Sequence, residues 1–65
     1  MEDKQNLIKN YREKANMTQQ ELAEKIGVNA RSIRRWESGE SSPDVYSAMA
    51  IAAIFGLQIE DIFDV

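Results

Sequence analysis

Apolar residues recur every three or four positions along most of this chain, and no strand-like alternation of apolar and polar residues competes with that pattern. Helix-capping residues and three glycines interrupt it, so the sequence predicts five helices packed into one compact all-α bundle. The first helix is expected at about residues 4–14, with Asp3 as its N-cap. Its inward side chains share helical spacing: Leu7, Ile8, Tyr11 and Ala15. The fifth is a short helix near Glu60 and Asp61, whose apolar side chains would close the core: Ile62 and Phe63.

A pair of short helices joined by a glycine turn is predicted over residues 18–37. Thr18 is a good N-cap for the first helix of the pair, and Glu21, three residues later, completes a capping box. Gly27 supplies the stop. The inward side chains of this helix fall at helical spacing: Leu22, Ala23 and Ile26.

The second helix of the pair begins after Asn29, which is a good N-cap. Ile33 and Trp36, three residues apart, are predicted to face the core. The outward side of the helix then carries Ala30 and is basic because of three arginines: Arg31, Arg34 and Arg35. A short basic helix held by a glycine turn against another helix is an architecture that enters the major groove of DNA.

A fourth helix is predicted with Ser42 as its N-cap, Pro43 in its first position and a stop at Gly56. Its inward side chains are expected to be Val45, Ala48, Met49, Ala52 and Phe55. Its outer side is also apolar and carries Tyr46, Ala50, Ala53, Ile54 and, just beyond, Leu57. A contiguous apolar stripe indicates a partner surface, whereas the alternative is that Tyr46 and Ile54 fold back onto the edge of the core.

The composition excludes several classes of function. Sixty-five residues make one domain, residues 1–65, and the absence of cysteine and histidine removes disulfides, thiolate metal sites, the usual general base and the commonest metal ligand. The longest mainly apolar run, residues 48–57, is too short to span a bilayer, and the polar N-terminus lacks the apolar core of a signal peptide. The sequence therefore predicts a cytoplasmic protein that is not an enzyme and has no metal, cofactor, membrane or small-molecule partner.

The net charge of −3 is unusual for a DNA-binding protein, but the charges are unevenly divided along the chain. Residues 1–35 contain all eight lysines and arginines and five acids, which gives +3. Residues 36–65 contain six acids and no base, which gives −6. The half with the basic helix is therefore positive, and the overall acidity should weaken non-specific DNA binding without abolishing a specific contact.

Several runs of the chain resemble the XRE-type helix-turn-helix family, the group of the small phage Cro and repressor headpieces. The similar runs span about residues 7–63 without an insertion: Tyr11-Arg12-Glu13, Met17 to Gly27, Ser32-Ile33, Trp36-Glu37-Ser38-Gly39 and the segment from Pro43 to Phe63. The resemblance implies a lambda-repressor-like DNA-binding domain and a sequence-specific regulator of transcription that binds double-stranded DNA, most typically a repressor at a two-fold operator. The alternative is a small protein-interaction module, antitoxin-like or anti-repressor, that binds through its acidic half.

Two kinds of DNA contact are expected from this resemblance. The positions that read base edges in the family are occupied here by Ala30, Arg31 and Arg35. A guanidinium can donate two hydrogen bonds to guanine, and a methyl group can contact that of thymine. The expected phosphate contacts lie near the helix ends or beside the base readers: Gln19, Gln20, Asn29, Arg34 and Ser38. The plainer alternatives are a solubilising arginine face, a Gln19 that simply fills an exposed first turn and, for Asn29, a capping role alone.

Arg12 and Glu37 match a family pair that joins the first helix to the end of the basic helix, and the alternative is two unrelated surface charges.

After the basic helix, Glu40 and Asp44 occupy positions where relatives often have basic residues, which suggests that a single copy binds DNA with modest affinity. Because one helix reads only a few base pairs, a weak homodimer is expected. The candidate self-association residues are apolar and lie in the acidic half: Tyr46, Ala50, Ile54, Leu57, Ile59, Ile62 and Val65.

Overall fold

The computed structural model describes residues 4–61, with side chains from Leu7 onward. Within that range the chain forms four α-helices and one 3-10 helix: α1 (Lys4–Lys14), α2 (Gln19–Ile26), α3 (Ala30–Ser38), α4 (Val45–Phe55) and the 3-10 helix Ile59–Asp61. The prediction of a fifth α-helix is therefore wrong. Asp61 Oδ2 accepts the N–H of Gln58 at 2.9 Å, and this local bond closes a single short turn. The predictions for four residues lie outside the described part of the chain: Asp3, Ile62, Phe63 and Val65.

The boundaries of α2 and α3 follow from their caps, as the sequence predicts. Thr18 Oγ1 accepts the N–H of Glu21 at 3.0 Å, and Glu21 Oε1 accepts the N–H of Thr18 at 2.7 Å, which completes the capping box. Gly27 ends α2 with a φ of 81°, in the left-handed region that favours glycine. Asn29 caps α3 by accepting the N–H of Ser32 at 3.0 Å. The short turn between the two helices is thus capped on both sides.

The start of α4 lies later than the sequence predicts, because its N-cap is Asp44 and not Ser42. The Asp44 carboxylate accepts the N–H of Ser47 at 3.4 Å through Oδ2 and the hydroxyl of Ser47 at 2.6 Å through Oδ1. Two donors on one residue hold the carboxylate at the helix start, where a negative charge is also favoured. Pro43 therefore lies in the loop before α4 and does not occupy the first turn of the helix. Its side chain is buried.

The buried side of α4 is formed by Ser47, Ala48, Ile51 and Ala52. Val45 and Met49, which the sequence pattern assigns to the core, are instead 56% and 55% exposed. Tyr46 is 82% exposed and does not fold back onto the core, and Ile54 is 37% exposed. Because α4 contains no charged residue, the polar side chains that normally mark the outer side of a helix are missing. Apolar side chains consequently cover both sides of α4.

The core lies where the four α-helices meet. Its largest fully buried side chains come one from each helix, in chain order: Ile8, Leu22, Ile33 and Ile51. Trp36 is 6% exposed and belongs to the same cluster, as predicted. Tyr11 of α1 lies against Phe55 of α4, with ring centroids 6.0 Å apart. The prediction for Ala15 is wrong, because α1 ends one residue earlier and Ala15 is exposed in the turn that follows.

Candidate nucleic-acid interface

The outward side of α3 is basic because its inward side is fixed in the core. Ile33 is fully buried and Trp36 is 6% exposed, so these two residues set the rotation of the helix about its axis. With them held inward, three guanidinium groups are exposed to solvent: Arg31, Arg34 and Arg35. The three arginines line one shallow depression together with Ser38 and Glu40. They therefore share a single surface on a helix whose orientation is set by packing.

Ala30 and Asn29, at the start of α3, have structural contacts of their own. Ala30 is half-buried and packs against the core, so only part of its methyl group is accessible. Asn29 Oδ1 accepts the N–H of Ser32 at 3.0 Å and its hydroxyl at 3.3 Å. Capping accounts for the position of the Asn29 side chain, and a phosphate contact there stays a prediction.

Glu40, which is absent from the sequence-based site, pairs with Arg35 at the end of α3. Its Oε2 lies 3.3 Å from Nε of Arg35, and the two side chains are 65% and 51% exposed. Gly39, with a φ of 83°, ends the helix and turns the chain back past its last turn. The Ser38 hydroxyl donates to the carbonyl of Arg35 at 3.1 Å, so Ser38 also belongs to this helix end. Gly39 indicated the turn in the sequence. No sequence pattern indicated that the long, exposed side chains of Arg35 and Glu40 would pair.

The two glutamines at the start of α2 are engaged with different partners. Gln19 is half-buried, and its Nε2 donates to Oε1 of Glu37 at 3.0 Å. Gln20 is exposed, and its Nε2 donates to Oε2 of Glu24 at 3.1 Å. Gln19 therefore ties the start of α2 to the end of α3, a role that the sequence did not reveal.

A groove with a mixed polar and apolar lining lies between α1, the start of α2 and α3. Its lining comes from all three of these parts and includes Lys9, Thr18, Gln19, Arg34 and Ser38. Lys9 and Arg34 are exposed cations here, and the first-turn N–H groups of a helix such as α2 attract anions. Lys9 is missing from the sequence-based site, although its spacing three residues before Arg12 was a signal that both lie on one side of α1.

Arg12 and Glu37 join α1 to α3 in the interior. Arg12 Nε donates to Glu37 Oε2 at 2.7 Å, Nη2 donates to Oε1 at 3.1 Å, and Nη1 donates to the carbonyl of Met17 at 2.8 Å. The two side chains are only 11% and 5% exposed. The hydrogen bond with Glu37 raises the pKa of Arg12 above its usual value, against the opposing effect of burial. This pair fixes the position of α3 and is too deeply placed to be a surface ion pair.

The part of the chain that the structure describes contains neither a cluster of candidate metal ligands nor a membrane-spanning helix. Its acidic side chains form no group of three or more that could hold a metal ion. None of the helices within residues 4–61 combines the length and the apolar character needed to cross a membrane.

Known proteins share both the sequence pattern and this arrangement of helices. A helix-turn-helix family model matches residues 8–62. An uncharacterized HTH-type transcriptional regulator from Methanocaldococcus jannaschii is 45% identical over 58 residues, which cover 89% of this chain and 88% of the relative. A second one, from Archaeoglobus fulgidus, is 46% identical over 56 residues, which cover 86% of this chain and 79% of the relative.

A solved structure has the same fold over nearly the whole chain. It is the crystal structure of the P22 c2 repressor protein in complex with a synthetic operator. The TM-score is 0.91, and the match covers 97% of this chain and 96% of that chain at 21% sequence identity. At that identity the likeness establishes the fold alone.

Proposed function

We propose that this chain, which belongs to the helix-turn-helix family, is a transcriptional regulator that binds a specific sequence in double-stranded DNA. One observation carries the proposal: α3 presents three arginines on one exposed surface while Ile33 and Trp36 hold its opposite side in the core. A helix supported in this way can enter the major groove without moving relative to the rest of the protein.

Arg31 and Arg35 are the proposed base readers. They lie four residues apart and therefore on the same side of α3. Two N–H donors of a guanidinium match O6 and N7 of guanine, and such a contact is worth about 1–3 kcal/mol of discrimination against the wrong base. Ala30 is proposed to touch a thymine methyl with the exposed part of its own methyl group.

Phosphate contacts would position the protein on the duplex without reading its sequence. They are assigned to the groove and to the helix ends: Lys9, Gln19, Gln20, Asn29, Arg34 and Ser38. The amide of Gln19 has a second N–H besides the one that bonds to Glu37, so it can donate to a phosphate without breaking that bond. Lys9 and Arg34 add positive charge, and the first turn of α2 adds its N–H groups.

The proposed mechanism is steric and involves no chemical step or cofactor. A repressor that occupies a two-fold operator in the cytoplasm blocks access of the polymerase to the promoter. The relatives from Methanocaldococcus jannaschii and Archaeoglobus fulgidus are named as HTH-type transcriptional regulators, which supports a role in the regulation of transcription. Neither the family nor these relatives support the alternative of a protein-interaction module that uses the acidic half.

The proposal includes a weak homodimer, because one helix contacts too few base pairs to select a single site in a genome. The outer side of α4 is the proposed contact surface, with half-buried Ala50 and the exposed side chains Tyr46 (82%), Val45 (56%), Met49 (55%) and Ile54 (37%). Val45 and Met49 replace Leu57 and Ile59 in this surface, because the latter two are half-buried and pack against the core.

Selection of duplexes from a random pool, followed by titration with selected and scrambled duplexes, tests base reading. We expect Arg35→Ala to lower affinity for the selected duplex and to relax the preference at one base pair. Lys9→Ala should weaken binding to both duplexes alike and reduce the slope of log affinity against log salt by about 1. Lys25→Ala removes the same charge from the last turn of α2 and is the control. Equal affinity of the parent protein for both duplexes would contradict the proposal.

A further inference from the structure

We propose that Glu40 is a positioning residue for Arg35 and increases the selectivity of α3 by holding the guanidinium at its Nε. This deepens the function proposed above and rests on it, because it requires Arg35 to read a base. Glu40 acts through Arg35 and is not assigned a contact with DNA.

The backbone at the end of α3 places Glu40 beside Arg35. The left-handed Gly39 reverses the chain, and the N–H of Glu40 donates to the carbonyl of Arg35 at 2.9 Å. The Ser38 hydroxyl donates to the same carbonyl at 3.1 Å and accepts the N–H of Glu40 at 3.4 Å. Because the two backbones are bound to each other, the paired side chains start from fixed points and lose less conformational freedom than two unconnected residues would.

The ion pair engages Nε, the nitrogen that an end-on contact between a guanidinium and guanine does not use. Oε2 of Glu40 lies 3.3 Å from Nε of Arg35. The terminal nitrogens Nη1 and Nη2 are the donors that match O6 and N7 of guanine. The proposed effect of this carboxylate is to hold the guanidinium through Nε, and the two terminal nitrogens are assigned to the guanine. Part of the ordering of the Arg35 side chain that binding requires then exists before the protein meets DNA.

The charge of Glu40 acts in the same direction as its geometry. The depression beside α3 is lined by three arginines and this one acid. A phosphate that approaches Arg35 without a matching base meets a carboxylate of the same sign, and the two repel each other. A guanine edge offers acceptors without a negative charge. Glu40 therefore disfavours a complex in which Arg35 contacts a phosphate more strongly than one in which Arg35 contacts guanine.

Glu40→Gln, measured on selected and scrambled duplexes, is the central test. We expect about threefold higher affinity for the scrambled duplex and about fivefold less preference for the base pair that Arg35 reads. Glu13→Gln removes the same charge from an exposed residue of α1 and should leave that preference intact. Glu40→Asp keeps the charge on a shorter side chain, so it should reduce the base preference while affinity for the scrambled duplex stays low.

A double-mutant comparison separates this proposal from the function on which it rests. In the Arg35→Ala background, Glu40→Gln should no longer change the base preference, because its effect passes through Arg35. If Arg35→Ala relaxes the base preference and Glu40→Gln leaves it intact, the positioning role is overturned while base reading stands. If Arg35→Ala itself leaves the preference intact, Arg35 reads no base and both proposals fail at this residue.

Discussion

Arg12 and Glu37 are joined by two hydrogen bonds, of 2.7 and 3.1 Å, across the interface between α1 and α3. Gln19 donates a third hydrogen bond to the same carboxylate at 3.0 Å. Three helices thus meet at one buried anion. Because Glu37 lies two residues after Arg35 on α3, this contact also fixes the direction in which the arginine side of the helix points.

Arg12→Met should destabilise the protein by about 3–5 kcal/mol, because it leaves the buried Glu37 carboxylate without its cation. Among the side chains that the structure describes, no buried nitrogen or oxygen lacks a partner, so the variant would introduce the first such group. Urea denaturation measures the loss. Arg35→Met is the matched control, because its pair with Glu40 is half-exposed and its removal should cost less than about 1 kcal/mol.

Replacing both partners of the buried pair should be far less damaging than replacing one. In Arg12→Met/Glu37→Leu no buried charge is left unpaired, so most of the stability should return. An Arg12→Met variant that unfolds at the parent urea concentration would show that the pair does not hold α1 and α3 together.

Trp36→Ala should also destabilise the protein by about 3–5 kcal/mol, because it opens a cavity in the core cluster. That is a large share of the total stability of a small domain. Thermal melting followed by circular dichroism measures the loss, and Trp36→Phe, which keeps an aromatic ring, should lose less. An unchanged melting temperature in Trp36→Ala would mean that Trp36 lies on the outer side of α3 and that the arginines do not.

The caps of α2 and α3 could be predicted from the sequence because each depends on residues only three positions apart. The side chains of Thr18 and Glu21 each accept the backbone N–H of the other residue, as a capping box requires. The start of α4 could not be predicted in this way, because Ser42 and Asp44 are both good N-cap residues. Asp44 is the cap in the structure, where it accepts both donors of Ser47.

In the candidate site too, features that depend on a local sequence pattern could be predicted, and contacts that depend on how the helices pack could not. The arginine side of α3 was predictable because Ile33 and Trp36 mark the opposite side. The bond from Gln19 to Glu37 links residues 18 positions apart and depends on how two helices cross. The outer side of α4 was only partly predictable, because a helix without charged residues carries no mark of which apolar side chains face water.

The ionisation of Asp44 makes the stability of the folded protein depend on pH. The hydrogen bond from the Ser47 hydroxyl is the main reason that the pKa of Asp44 lies below its usual value of 3.8. Because the folded-state pKa is the lower one, the stabilisation by the ionised cap is complete above the unfolded-state value and is lost as the pH falls through the folded-state value. The melting-temperature advantage of the parent over Asp44→Asn should therefore shrink between about pH 6 and about pH 2. An advantage that stays constant over this range would contradict the titration of Asp44.

Tyr46→Glu should abolish self-association without lowering stability, because Tyr46 is 82% exposed and contributes little to the core. In a two-fold contact the new carboxylate would be desolvated against apolar side chains and would face its own copy. Salt should favour the parent dimer, because it screens repulsion between the acidic halves. Sedimentation equilibrium at low and high salt measures both effects, with Asn10→Glu on the exposed side of α1 as the charge-matched control. A parent protein that remains monomeric at high concentration in high salt, and binds one copy per DNA site, rules out the dimer.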